Sequence, residues 1–397
     1  MKRAPVYLVL LTVFIDLLGF GIVIPLLPFY AQHYGATPTV IGLLSSSYSL
    51  MQFVFVPFWG RLSDRVGRRP IILMSVFGSF ISYLIFGFAD SLFLLFFSRM
   101  LAGLMGANIA TAQAYIGDTT TLEERAKYMG LIGAAFGVGF MLGPFVGGVM
   151  SRISFGAPGF LASGLALINF VLAYFMLPES VKDRSKSVRR PGLLNFSTVA
   201  EAFRQPGIGK LVLVFFFYTV AFSNLYVAFP LFTGSVFKYG AAENGYLFAY
   251  IGLVAIIVQG GAIGRLARKF GEKSLMATGL VLLLAGLVLV PGATTLVHLV
   301  LLITFLAVGS ALVTPSLTSL ISKSAGHGEQ GTVLGVSQSF SSLARVIGPF
   351  WGGFILGTAG ISWPFYTGSI MLLAALLLVW KLPAFVPTHS GDSRKIG

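Results

Sequence analysis

The chain has 397 residues, of which 56% are hydrophobic and 10% charged, with a mean hydropathy of +0.88. Soluble domains carry about 25% charged residues, so this composition excludes a water-soluble globular protein and implies an integral membrane protein. The formal charge of +14 raises nucleic acid as a partner, and the placement of the charge decides that question.

In chain order, Lys2 and Arg3 precede an apolar run from about Val6 to Tyr30. It is too long for a signal-peptide core and contains no small-residue cleavage site, so it reads as a first spanning helix. A spanning helix needs about 20 mainly apolar residues. Twelve segments qualify, at 6–30, 41–60, 70–89, 91–116, 127–150, 157–177, 209–233, 244–267, 273–291, 295–322, 330–357 and 361–382. The expected fold is therefore an all-α membrane protein of twelve transmembrane helices. The long polar stretch is "PESVKDRSKSVRRPG" at 178–192. Expected domains are a six-helix bundle over 1–177, a cytoplasmic linker over 178–208, and a second bundle with a short cytoplasmic tail over 209–397.

With both termini cytoplasmic, 23 of the 27 basic residues fall in inner loops. Arg152 and Lys238 fall in outer loops, and Arg99 and Arg345 inside helices. This is the positive-inside pattern, so the basic charge reports topology and requires no nucleic acid.

The two halves repeat. "GRLSDRVGRR" at 60–69 recurs as "GRLARKFGEK" at 264–273, "GPFVGG" at 143–148 as "GPFWGG" at 348–353, and Pro25 matches Pro230. The repeat implies two pseudo-symmetric six-helix bundles, an arrangement common in transporters with a site near the midplane.

Asp16 is the one carboxylate deep within a segment, against two deep cations, Arg99 and Arg345. A buried charge costs roughly 2.5–3.5 kcal/mol on insertion scales, so such residues imply partners or a water-filled cavity. Asp16 and Arg99 either form a structural pair or Asp16 titrates. An apolar setting favours the neutral acid and a nearby arginine the ionised one, so a moving arginine could switch the proton. Helical spacing adds polar stripes. These are Arg99, Gly103, Gly106, Ala110 and Gln113 in the fourth segment, Tyr48, Gln52, Phe55 and Trp59 in the second, and Gln338, Ser342 and Arg345 in the eleventh, with Asn224 mid-way along the seventh. Singly, such residues are interhelical hydrogen-bond glue. Together they point to a polar substrate path with aromatic walls.

Enzymatic chemistry has no foothold. With no cysteine, disulfides and thiol-based metal sites are excluded, and the four histidines are scattered. No P-loop, HExxH or GxSxG pattern occurs. Gly137 and Gly139 sit in an apolar segment that follows no strand, so they make no dinucleotide loop. No metal or cofactor is expected.

These residues resemble the major facilitator superfamily, and within it the twelve-helix drug–proton antiporters that include the tetracycline exporters. Gly60, Asp64, Arg65, Gly67 and Arg68 match the signature between the second and third helices. The resemblance implies that Asp64, Arg65 and Arg68 clamp a cytoplasmic gate. Arg268 stands where Asp64 would be in the second copy, leaving only the first clamp complete. Gly139, Gly143, Pro144, Gly147 and Gly148 resemble the antiporter signature, which implies export. Read from the residues, glycines four apart make a flat face for close helix contact and Pro144 a kink. Leu18-Gly19 through Pro25-Leu26-Leu27-Pro28 is a shorter match. Arg99 with Gly103 and Gly106 resembles the proton-relay signature. Tetracycline exporters carry further carboxylates in the third and ninth helices. Here the third has Ser82 and Tyr83 in that region and the ninth has no acid, which counts against tetracycline itself.

The resemblance implies a proton-coupled exporter of hydrophobic or amphiphilic molecules, a monomer in the bacterial cytoplasmic membrane whose partners are substrate, protons and lipid. A small anionic or zwitterionic metabolite is the alternative cargo, because Arg345 has no evident carboxylate partner. A non-transporting receptor would leave Asp16 and the gate signature without purpose.

Overall fold

The computed structural model describes residues 4–180, 203, 207–324 and 330–382, and contains no strand among them. Among the described residues, fifteen α-helices have defined bounds. They are α1 (Ala4–Val23), α2 (Leu27–His33), α3 (Pro38–Val66), α4 (Arg68–Gly87), α5 (Leu92–Leu104), α6 (Asn108–Thr119), α7 (Leu122–Ser151) and α8 (Ala157–Met176), followed by α9 (Ile208–Val236), α10 (Ala241–Ile257), α11 (Ile263–Phe270), α12 (Glu272–Leu289), α13 (Leu296–Ser324), α14 (Gln330–Ala359) and α15 (Trp363–Trp380). Among the described residues, eleven helical stretches are long and apolar enough to cross a bilayer. The eleventh segment expected, α14, falls outside that set although it runs for 30 residues. It carries Gln338, Ser341, Ser342 and Arg345, and packs between α3 and α9.

Three segments expected to be unbroken are not. The first divides into α1 and α2 at Ile24–Leu26, where Pro25 and Pro28 remove backbone donors. The fourth divides into α5 and α6 at Met105–Ala107. The eighth holds a π-helical stretch, Val258–Ala262, between α10 and α11. Most of the expected 178–208 linker lies outside the described residues, as does the tail beyond residue 382.

The halves pack alike. One buried cluster of the first half joins Val9, Val13 and Leu17 of α1 to Ile72 and Val76 of α4, Tyr115 of α6 and Ala173 of α8. The second half is cored by residues from α9, α10 and α12 to α15, among them Phe229, Met276, Leu306, Val336 and Phe365. Phe93, Phe175, Ile370 and Trp380 stand exposed on the outside. A soluble protein would hide such side chains, and lipid accommodates them. The repeat extends to the backbone. Gly67 and its counterpart Gly271 both hold positive φ, +110° and +78°, in the turn before α4 and before α12. Glycine adopts this region without a side-chain penalty.

The two bundles meet along two antiparallel seams, α3 with α14 and α7 with α10. At Gly42 an added Cβ would lie 2.6 Å from the Pro349 carbonyl, and at Gly148 one would lie 3.1 Å from the Gly245 Cα. Ser46 Oγ donates to the Val346 carbonyl at 2.6 Å across the first seam. All these contacts lie in the half of the molecule away from the Gly60–Arg69 loop. Along the same stripes toward that loop, Gly60, Gly130, Gly133, Gly260, Gly264 and Gly335 have no neighbouring atom within 4 Å of a Cβ position. The bundles thus converge at the far side and stand apart at the loop side.

Candidate functional site: a central cavity with two guanidinium groups

Between the bundles, beneath the closed seams, lies a cavity. Phe20, Val23 and Ile24 of the first span and Leu27 of α2 form its apolar wall. Ser45, Tyr48 and Ser49 of α3, Tyr226 of α9 and Pro349 of α14 add to the lining. Arg99 of α5 and Arg345 of α14 supply its charge, and among the described residues no acidic side chain lines it.

The two arginines are held differently. Arg345 Nη1 donates to Ser341 Oγ at 2.9 Å and Nη2 to Ser342 Oγ at 3.0 Å. These are neutral acceptors one turn back on its own helix. Arg99 is only 3% exposed. Its guanidinium lies 5.1 Å from the Phe86 ring centre and 5.7 Å from that of Tyr83. Its Nε and Nη2 meet no hydrogen-bond acceptor. The face of an aromatic ring attracts a cation but supplies no lone pair in place of water.

Asp16 does not pair with Arg99, which corrects one of the two expectations. Its Oδ1 accepts from Asn108 Nδ2 at 3.1 Å and from Ser79 Oγ at 3.2 Å. Both donors are neutral, Ser79 on α4 and Asn108 on α6. Tyr48 nevertheless lies within electrostatic reach of Asp16, Arg99 and Arg345 alike.

The break between α5 and α6 explains much of the polar stripe on α3. Ending a helix inside a membrane frees carbonyls that lipid cannot satisfy. Here Trp59 Nε1 donates to the Leu104 carbonyl at 2.6 Å and Gln52 Nε2 to the Gly106 carbonyl at 3.4 Å. Ser75 Oγ donates to the Met105 carbonyl and accepts from the Ala107 amide. Gln52 also donates to the Tyr48 hydroxyl at 3.1 Å. Gln52 and Trp59 therefore hold the chain break open beside the site, while Tyr48 lines the cavity itself.

Other candidates are not among the residues that line this pocket. Asn224 is buried, donates to the Pro364 carbonyl at 2.7 Å and faces Gly352. It locks α9, α14 and α15 together. Gln113 and Gln338 are exposed and absent from the lining. Helical spacing places residues on a face, but which face meets the other bundle is a tertiary property.

The glycines of α7 do what their spacing foretells. A Cβ at Gly139 would lie 2.9 Å from Leu17 Cβ, and one at Gly143 would lie 2.7 Å from Gly21 Cα. Gly147 abuts the Ile22 carbonyl, while Gly148 faces α10. Three glycines and Pro144 thus seat the helix that carries Asp16, and the fourth seats the seam. Gly348, Gly352 and Gly353 repeat this against α9 and α3.

At the loop signature, Arg68 is the hub. It is 7% exposed and bonds Asp64 Oδ1 at 2.5 Å, Asp118 Oδ2 at 3.0 Å and Ser63 Oγ at 2.6 Å. The Glu179 carboxylate caps α4 by accepting from the amides of Arg68 and Arg69 at 2.8 and 3.2 Å. Negative charge at a helix N-terminus is stabilising, and a side chain at Gly67 would collide with that cap. Arg65 is exposed and has no ion pair among the described residues. The second half carries part of this device with its signs reversed, because Arg268 donates to the Gly264 carbonyl and forms no ion pair among the described residues. Repeat positions turn Asp64, Arg68 and Asp118 into Arg268, Glu272 and Lys323. Glu272 Oε1 pairs with Lys323 Nζ at 2.7 Å and accepts from Ser319 Oγ at 2.6 Å. The repeat comparison that found Arg268 in place of Asp64 missed this inversion, which needs Lys323 set beside Glu272 by the fold. Asn108, Ser79 and Tyr226 were also missed, although each is a polar residue within an apolar segment.

The chain matches the family model described as Major Facilitator Superfamily over residues 9–349 and 260–396. It is 32% identical to multidrug resistance protein 2 of Bacillus subtilis over 391 residues, covering 96% of each chain. It is also 32% identical to the class C tetracycline resistance protein of Escherichia coli, covering 94% of each. Among solved structures, the human organic anion transporter MFSD10 superposes with a TM-score of 0.70 at 27% identity, covering 95% of this chain and 99% of that one. The chain belongs to the Major Facilitator Superfamily. It is a membrane transporter, and its relatives are transporters and not enzymes.

Proposed function

We propose that this protein is a proton-coupled exporter of amphiphilic small molecules, working by alternating access as a monomer in the bacterial cytoplasmic membrane. The basic loops orient the loop side and both termini toward the cytoplasm. The described conformation then opens to the cytoplasm and is sealed on the outer side, ready to take cargo from within.

The observation that carries this reading is the setting of Asp16. A carboxylate within a span is held by two neutral donors, with no cation fixing it in the ionised form. Such a group can gain or lose a proton without breaking an ion pair. It sits on the helix seated against the glycine face of α7, which also forms the seam with α10. Protonation and bundle movement therefore act on the same contacts. When the outer seams open, a proton enters and neutralises Asp16. When they close and the loop side stands open, Asp16 releases that proton inward, with no ion pair to break. Cargo moves in the opposite direction. The relatives' names, multidrug and tetracycline resistance, support export of amphiphilic compounds.

The test is substrate flux in proteoliposomes under an imposed pH gradient. Asp16→Asn preserves size and hydrogen bonding but cannot titrate, and it should abolish uphill transport while passive exchange persists. Uphill transport at the parent's level in Asp16→Asn would show that coupling resides elsewhere.

A further inference from the structure

We infer that the central cavity is built for an amphiphilic organic anion, whose carboxylate or sulfonate is taken between Arg99 and Arg345. The inference rests on the transport reading above and names the charge of its cargo.

Among the described residues, the cavity's lining holds two guanidinium groups and no acid. The nearest deep carboxylate, Asp16, spends its Oδ1 on Asn108 and Ser79 and lies outside that lining. A cationic drug would enter a site with two like charges and no counter-charge on its wall, and like-charge juxtaposition is strongly unfavourable where water is scarce. A neutral compound would leave both guanidiniums without an anionic partner. An anion meets the deficit that the structure displays. Arg99 is buried with Nε and Nη2 unpartnered, and a buried donor left unsatisfied carries its full desolvation cost. Arg345 is met only by two serine hydroxyls. A guanidinium presents parallel donors that match a carboxylate, and such charge-assisted pairs are among the strongest hydrogen bonds in proteins. Arg99 comes from the first bundle and Arg345 from the second, so one anion touching both also ties the bundles together. The hydroxyl of Tyr48, within electrostatic reach of both arginines, is a third donor.

The remainder of the wall sets the other end of the ligand. Phe20, Val23, Ile24 and Leu27 form an apolar surface on the first span and α2. This wall favours a compound with one anionic group and an apolar body; the cavity itself measures about 40 Å³ in this conformation, so the apolar body extends toward the open loop side.

The full chain in lipid nanodiscs is titrated with three compounds that share a naphthalene body: naphthylacetate, naphthylacetamide and naphthylethylamine. Dissociation constants come from calorimetry, with thermal unfolding as a second readout. Naphthylacetate should bind tightest. Arg345→Gln should weaken it by roughly ten- to hundredfold, the scale of a lost charge-assisted bond, and leave the amide unchanged. Arg345→Lys should retain the preference for the anion, and unfolding of each ligand-free variant shows whether it folds. The inference is overturned if the amine binds as tightly as the acid, if Arg345→Gln weakens all three alike, or if none of the three binds. Flux measured separately in proteoliposomes distinguishes this from the export reading. Anion binding without gradient-driven flux sinks the export reading alone, and gradient-driven flux of the amine alone sinks the anion site alone.

Discussion

Gly42 offers a direct way to bias the conformational equilibrium. It lies in the α3–α14 seam, where an added Cβ would sit 2.6 Å from the Pro349 carbonyl and 3.2 Å from the Cα atoms of Phe350 and Gly353. Every neighbour is backbone, so no side chain can rotate away. Restoring ordinary contact at about 3.4 Å requires the two helices to separate by roughly 0.8 Å, because repulsion rises steeply inside the van der Waals minimum. Overpacking of this kind costs about 1–3 kcal/mol. The strain exists only while the far side is sealed, so it acts on the equilibrium between conformations, and a bias of that size amounts to about 5- to 150-fold. Ser49→Cys places a single thiol in the cavity of a chain without native cysteine. In right-side-out vesicles, an impermeant thiol reagent should label it at least about 5-fold faster when Gly42→Ala is added, up to the limit set by the parent's own open fraction. Gly164→Ala, at a position with no atom within 4 Å, should leave the rate unchanged. Equal labelling with and without Gly42→Ala, in protein that folds normally, would refute the argument that this seam opens during transport.

Further outcomes follow from the same geometry. The antiparallel register of the second seam sets Gly148 by Gly245, Met141 by Gly252 and Gly137 by Ile256. Continued toward the loop side it brings Glu124 opposite Arg268, so cysteines at those two positions should form a disulfide faster in the Gly42→Ala background than in the parent. Ser75→Ala removes a second hydrogen bond from both the Met105 carbonyl and the Ala107 amide at the α5–α6 break, which still bond each other at 2.8 Å, and should lower stability by about 0.5–1.5 kcal/mol, read by thermal unfolding. Asp64→Asn removes one of two carboxylates from Arg68 and should slow transport while leaving unfolding within about 1 kcal/mol of the parent, since the pair is partly exposed. For topology, a cysteine at Lys238 should react with an impermeant reagent from outside the cell and one at Ser187 should not. The reverse pattern would invert the assignment of the loop side.

Much of this protein is legible in one dimension because lipid imposes a simple rule. A span must satisfy its backbone internally and present apolar side chains, so the apolar segments, their basic loops and the two-fold repeat of glycine motifs announce an all-helical membrane protein, with eleven qualifying stretches and α14 among the described residues. The glycines of α7 were readable for the same local reason: residues four apart share a face, and a face without side chains admits another helix. What stayed hidden depends on which helix stands opposite. The sequence contains Asp16 and Arg99 as evident partners, yet the fold gives the carboxylate to Asn108 and Ser79 and leaves the guanidinium against two aromatic rings. Asn224 and Gln113 share the composition of cavity residues, but only the packing of α9, α14 and α15 consigns the first to the core, and only the orientation of α6 leaves the second outside the lining. The sign-reversed pair of Glu272 and Lys323 likewise required α12 and α13 to be set side by side. A charge's worth in a membrane is set by the few ångströms around it, and those neighbours come from distant parts of the chain that only tertiary packing brings together.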